Sequence, residues 1–197
     1  LAYAGIGSVR IGSAYQKTER GYKDLQEQKI RYRKEASLKD QFSEAMREIN
    51  PDYIAWIEIP GTTIDYPVVW SGKDYLHYDF NGNESICGSL FIYNYGDPFQ
   101  DLNTVIYGHN MKDGSMFSDL KKFLDEEWCK NHSRIGIRHK GKDLAYQVIS
   151  VQIIPEDNKE PYEYEFHNDE YREFIRKNVA DSLVPRLSEE INDKPII

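Results

Sequence analysis

The chain has 197 residues, 25 Lys/Arg against 33 Asp/Glu for a formal net charge of −8, 40% hydrophobic residues and a mean hydropathy of −0.70. That length is enough to bury a core, no stretch approaches the ~18 apolar residues of a membrane span, and 13 Gly, 8 Pro and 2 Cys exclude collagen-like, low-complexity and disulfide-scaffold classes. Residues 1–50 carry ten Lys/Arg against seven Asp/Glu and residues 51–197 fifteen against twenty-six, so the body is acidic and no nucleic-acid partner is expected.

Residues 1–12 are small and apolar without a helical period, and read as either the remnant of a membrane anchor or a disordered terminus. Residues 13–50 read as an N-terminal helical region. Phe42, Ala45, Met46 and Ile49 recur at i, i+3, i+4 and i+7, one face of a helix. Ser37, with Asp40 three residues on, resembles a helix N-cap, so two helices are expected at roughly 14–35 and 38–49. Pro51 stops the second, because the residue before a proline avoids the α region.

From residue 52 the pattern turns to strands. Residues 53–59, 63–70, 89–93 and 103–107 are rich in β-branched and aromatic side chains, and Pro60-Gly61 marks a turn. Residues 115–131 return to helix, with Phe117, Leu120, Phe123, Leu124 and Trp128 on one stripe. Residues 134–138 and 145–151 predict a hairpin around a turn at 139–143. A helix is expected at about 168–182, where Tyr171, Phe174, Ile175 and Val179 share a face, and Lys194-Pro195-Ile196-Ile197 reads as a strand just begun. Many short strands interrupted by helices, without a βαβ rhythm, give a mainly β fold: a mostly antiparallel barrel over residues 51–197 with helical additions.

His109 is the best candidate for chemistry. It follows an apolar strand and Gly108, it precedes a polar loop, and histidine titrates near working pH. His77 lies between tyrosines and reads as packed or partly exposed. His132 and His167 sit by helix ends, where a cation favours the terminal carbonyls, and His139 falls in the hairpin turn, where solvation is expected. The five histidines and two cysteines form no HExxH or CxxC pattern, so no metal and no cofactor is expected. Cys129 and Cys87 are thiol candidates that also suit small core positions, and with only two in the chain they make no disulfide framework. No GxSxG elbow, P-loop or GxGxxG is present, and Ser115 lacks the context of a nucleophilic serine.

Trp56-Ile57-Glu58-Ile59-Pro60-Gly61-Thr62-Thr63-Ile64-Asp65-Tyr66-Pro67-Val68-Val69, preceded by Asn50-Pro51-Asp52, resembles the opening of a class B sortase core. So do Tyr78-Asp79-Phe80-Asn81-Gly82 and Gly88-Ser89-Leu90-Phe91. The most specific match is Asn103-Thr104-Val105-Ile106-Tyr107-Gly108-His109-Asn110-Met111 with Gly114-Ser115-Met116-Phe117. The resemblance covers about residues 38–197. It implies a sortase-like closed β-barrel with N-terminal helices and a helix between late strands. It also implies an extracytoplasmic enzyme, held at the cell membrane by an N-terminal anchor outside this chain and facing the wall of a Gram-positive cell.

The activity implied is cysteine transpeptidation. A thiolate attacks a surface protein's sorting signal, similar to Asn-Pro-x-Thr-x, and an amine resolves the acyl-enzyme. That amine is of a peptidoglycan precursor or, in pilus-building relatives, a pilin lysine. The catalytic acid/base carries to His109. The family's nucleophilic Cys follows a segment like Pro195-Ile196-Ile197, and its Arg lies on the next strand, so both are expected beyond Ile197. This chain alone is then expected to be inactive. Two other readings stay open: a catalytically inert β-barrel binding module, and a thiol enzyme pairing Cys129 with His109, which requires Cys129 to be accessible and its thiol to be acidified.

Overall fold

A computed structural model of the chain describes residues 2–34, 41–70, 72–93, 98–155, 166 and 168–184. Helix α1 runs Ala2–Lys34 and α2 runs Gln41–Ile49. The first begins well before the periodic region, because its small residues include no proline to break it, though they show no amphipathic repeat. Thr18, Tyr22, Leu25 and Lys29 are its buried residues, spaced i, i+4, i+7 and i+11, which makes one continuous docking stripe. In α2, Phe42 and Met46 are buried, and the Phe42 ring meets Trp56 edge-on at 5.4 Å. The expected cap at Ser37 lies outside the described residues.

Six strands form one sheet in the order β4-β3-β2-β1-β5-β6, curled into a half-barrel with β4 and β6 at its edges. Strand β1 (Tyr53–Glu58) pairs antiparallel with β2 (Asp65–Trp70) and with β5 (Arg134–His139). Strand β3 (Leu90–Ile92) lies parallel to β2, and β4 (Ile106–Tyr107) antiparallel to β3. A parallel pair needs a long crossover, and residues 72–89 lie within it; that crossover passes beside His109, which contacts the Leu76 carbonyl. Strand β1 is buried along its first five residues instead of alternating. Helix α2 packs on β1, and α1 packs on β2 and α2. Helix α4 runs Asn168–Ala180.

Two expectations change. The helix expected at 115–131 is two pieces, a 3₁₀ helix (Phe117–Leu124) and α3 (Glu126–Asn131). Asp125 between them is extended, and its carboxylate accepts the Trp128 N–H at 2.8 Å, so it caps the second helix and breaks the first. The hairpin turn is only Lys140-Gly141, with φ of 48° and 75°, the two-residue geometry with both angles positive. Strand β6 therefore starts at Lys142 and ends at Gln147.

The tighter turn overturns the solvated reading of His139. As the last residue of β5 it pairs with Ala55 of β1, is 4% exposed, and shares a 3.0 Å hydrogen bond between Nδ1 and the Ile54 carbonyl. His167 and the strand expected at Lys194 lie outside the described residues. No helix among the described residues is long and apolar enough to cross a membrane.

Candidate active site

His109 stands two residues past β4, where the chain leaves the sheet edge. Its backbone is fixed from the far side of the loop. The Phe117 N–H donates to the His109 carbonyl at 2.9 Å, and Asn110 bridges Met116. Within the loop, Asp113 accepts from the Ser115 N–H at 3.0 Å and hydroxyl at 2.8 Å, an Asx-type turn. Two residues from the β1–β2 region hold the loop down. The Thr63 hydroxyl donates to the Gly114 carbonyl at 2.9 Å, and the Met116 N–H donates to the Tyr66 hydroxyl at 3.3 Å.

The His109 ring is oriented by a backbone group. Its Nε2 lies 2.9 Å from the Leu76 carbonyl oxygen. A carbonyl only accepts, so Nε2 carries the proton and, in the neutral ring, Nδ1 holds the free lone pair. The acceptor is itself held: the Ser89 N–H donates to the Tyr75 carbonyl at 2.8 Å and the Ser85 N–H to the His77 carbonyl at 2.9 Å. Sequence reasoning missed Leu76, since a backbone carbonyl's aim leaves no mark on residue type.

Beside the histidine, Tyr107 stacks on Phe91 (centroids 5.4 Å apart, 13° between planes), and Tyr93 meets both rings edge-on at 5.1 and 5.3 Å. Tyr93 is half exposed and Tyr107 partly buried, so these two rings offer an aromatic surface over the buried Phe91 at the edge that carries the site.

The other candidates fall away from chemistry. His77 is exposed and shares a 2.7 Å contact with Asp74. His132 stacks flat on Trp128 at 4.2 Å, with Nδ1 2.9 Å from the Trp128 carbonyl, which is the helix-end role expected of it. Cys129 is 0% exposed and burial pushes its thiol up, the reverse of what a nucleophile paired with His109 requires. Cys87 is buried beneath the loop. Burial raises its thiol too, against the lowering effect of hydrogen bonds from Ser85 and Ser115. Both cysteines are free thiols.

Residues 57–180 match the sortase domain family. The chain belongs to the sortase family. The matched region runs from within β1 to the end of α4, so it coincides with the half-barrel, and α1 and α2 lie before it. The class B branch is supported by individual relatives. Sortase B of Staphylococcus aureus is 32% identical over 176 residues, covering 83% of this chain and 70% of that protein. Sortase B of Listeria monocytogenes is 37% identical over 109 residues, covering 54% of this chain and 44% of that protein, so the match spans less than half of the latter's length. The crystal structure of a Cys-to-Ser mutant form of Clostridium perfringens sortase B superposes with a TM-score of 0.81 at 28% identity, covering 89% of this chain and 85% of that one. This sortase thus shares its architecture with class B members, N-terminal helices included.

Proposed function

We propose that this sortase is the core of a cysteine transpeptidase in which His109 is the acid/base. It would cleave a surface-protein sorting signal similar to Asn-Pro-x-Thr-x and pass the acyl group to a peptidoglycan amine outside the cell membrane. The observation that carries this reading is the His109–Leu76 hydrogen bond. It supports a ring fixed with Nδ1 available to exchange a proton at the edge strand β4. The buried, unacidified state of Cys87 and Cys129 supports a nucleophile other than either of them; the sortase resemblance puts that thiol, and an oxyanion-stabilising arginine, past Ile197.

In the first step the thiolate adds to the carbonyl carbon of the scissile peptide. A thioester forms as the C–N bond breaks, and the leaving amine takes its proton from the His109 imidazolium. In the second, the incoming amine gives a proton to neutral His109, attacks the thioester and expels the thiolate. Water competes with that amine, so a partly apolar surface such as Tyr93 and Tyr107 suits the intermediate's survival.

The test is to incubate the full-length protein with a fluorogenic Asn-Pro-x-Thr-x peptide and either a glycyl or a lysyl amine, followed by mass spectrometry. A product joining the Thr carbonyl to the amine is expected. Preference for the lysyl amine would favour the pilin-polymerising alternative. Binding without cleavage would favour the inert module and overturn the proposal.

A further inference from the structure

Tyr22 is a buried tyrosine on α1, a helix outside the matched sortase region, and it contacts both supports of His109. Its hydroxyl donates to the Gly88 carbonyl at 2.7 Å and lies 3.3 Å from Ser89 Oγ. Ser89 in turn donates from its hydroxyl to the Tyr78 carbonyl at 2.9 Å and from its N–H to the Tyr75 carbonyl at 2.8 Å. Those two bonds bracket Leu76, whose carbonyl holds His109 Nε2. Gly88, with φ of +57°, lies flush against the same peptide: a Cβ there would stand 2.5 Å from the Tyr75 oxygen and 2.6 Å from the Leu76 oxygen. No side chain fits between the residue that Tyr22 grips and the carbonyl that aims the histidine.

The second contact is with Tyr66. The Tyr22 and Tyr66 rings meet edge-on at 5.2 Å and 78°. The Tyr66 hydroxyl accepts the Met116 N–H, one of the bonds that close the loop behind His109. One side chain of α1 therefore touches the support of the ring's acceptor and the support of the ring's backbone. Burial raises the Tyr22 hydroxyl far above its ordinary value, so it stays a hydrogen-bond donor at any working pH.

We propose that Tyr22 is a positioning residue for His109, so that docking of α1 on the half-barrel sets the aim of the acid/base. This rests on the acid/base reading of His109 given above. Other α1 contacts, such as Lys29 with Glu58 and Asp65, hold the helix elsewhere along β1 and β2. They separate a specific relay from general loosening.

The experiment compares Tyr22→Phe and Lys29→Met with the parent in the full-length protein. It reads solvent exchange of the His109 Hε2 proton by NMR, thermal unfolding, and kcat and KM for sorting-peptide cleavage. Tyr22→Phe should speed Hε2 exchange by about tenfold and lower kcat by about tenfold, or ~1.4 kcal/mol, with KM within about twofold. Lys29→Met should lower Tm while leaving Hε2 exchange as in the parent. Should Tyr22→Phe fail to fold, Ser89→Ala carries the same expectation for Hε2 exchange. Unchanged Hε2 exchange in Tyr22→Phe, or an equal change in Lys29→Met, overturns the proposal. Full cleavage by His109→Ala would instead overturn the acid/base reading and leave the Hε2 result to decide the relay by itself.

Discussion

Gly108 and Leu90 pack so closely that a Cβ on Gly108 would stand 2.2 Å from Leu90 Cδ2. Leu90 is fully buried on β3, so its methyl has no free space to yield. The peptide just before His109 therefore lies flat on the core, and only glycine allows it. Gly108→Ala should cost about 1–3 kcal/mol of stability by overpacking and slow cleavage by displacing His109. Adding Leu90→Ala should relieve the clash, giving a coupling energy of about 0.5–3 kcal/mol in a double-mutant cycle. Denaturant unfolding of the four proteins measures it, and strictly additive losses would contradict the contact.

The two thiols should behave as core atoms. Cys87→Ser and Cys129→Ser should each leave cleavage within a few-fold of the parent and cost on the order of 1 kcal/mol in stability. Both thiols are raised by burial, so both stay protonated at neutral pH. In the native 197-residue region a thiol reagent should label neither until denaturant is added. Rapid native labelling of Cys129, or loss of acyl transfer in Cys129→Ser alone, would reinstate the rival nucleophile.

Much of the half-barrel was legible because its signals are local. The β-branched and aromatic runs predict β1 to β4, and the period of Tyr171 and Ile175 predicts α4. The failures have a common cause in side chains that act at a distance or through caps. Asp125 breaks an amphipathic stripe that looks continuous. Lys140 adopts a positive φ that shortens the hairpin turn and turns His139 inward. In the candidate site, the Gly108-His109 pair after a strand was readable, and a core position for Cys129 was one of two readings that its burial then separated. The supports were not: Leu76 contributes only its carbonyl, and Tyr22 lies 87 positions before His109 in the chain.

Asp119 links the 3₁₀ helix to the β1–β2 turn, accepting the Thr63 N–H at 2.8 Å and Lys122 Nζ at 2.9 Å. Burial alone would raise its carboxyl, but hydrogen bonds from Lys122 and Thr63 outweigh it and hold the carboxyl below its ordinary value. A carboxyl lowered in the folded state stabilises above its unfolded value, and that contribution is lost as pH falls through the folded one. Asp119→Asn should therefore cost about 1–3 kcal/mol at neutral pH, and the stabilities of variant and parent should converge in acid. Parallel curves down to the acid limit would show that this carboxylate is not coupled to folding.

Lys29 and Lys23 both lie on α1 and pair with carboxylates, but in different surroundings. Lys29 is buried, contacting Glu58 at 2.7 Å and also Asp65, each about a third exposed, and it sits 5.3 Å from the Trp56 ring centre. Lys23 pairs with Glu19 on the open helix face. Lys29→Met should cost about 1–3 kcal/mol, between the values for exposed and fully buried pairs because water screens the carboxylates. Lys23→Met should cost no more than about 0.5 kcal/mol. Equal losses in thermal unfolding would remove the buried cluster as a clamp on α1.

The central claim, that His109 moves the proton in acyl transfer, is tested most directly by His109→Ala in the full-length protein, assayed for cleavage of a sorting-signal peptide. Proton transfer by a positioned side chain is worth about 10²–10⁴-fold, so kcat should fall by at least about 10²-fold while the unfolding midpoint stays near the parent's, because the ring is half-buried at a strand end. Cleavage within a few-fold of the parent would remove His109 from the mechanism.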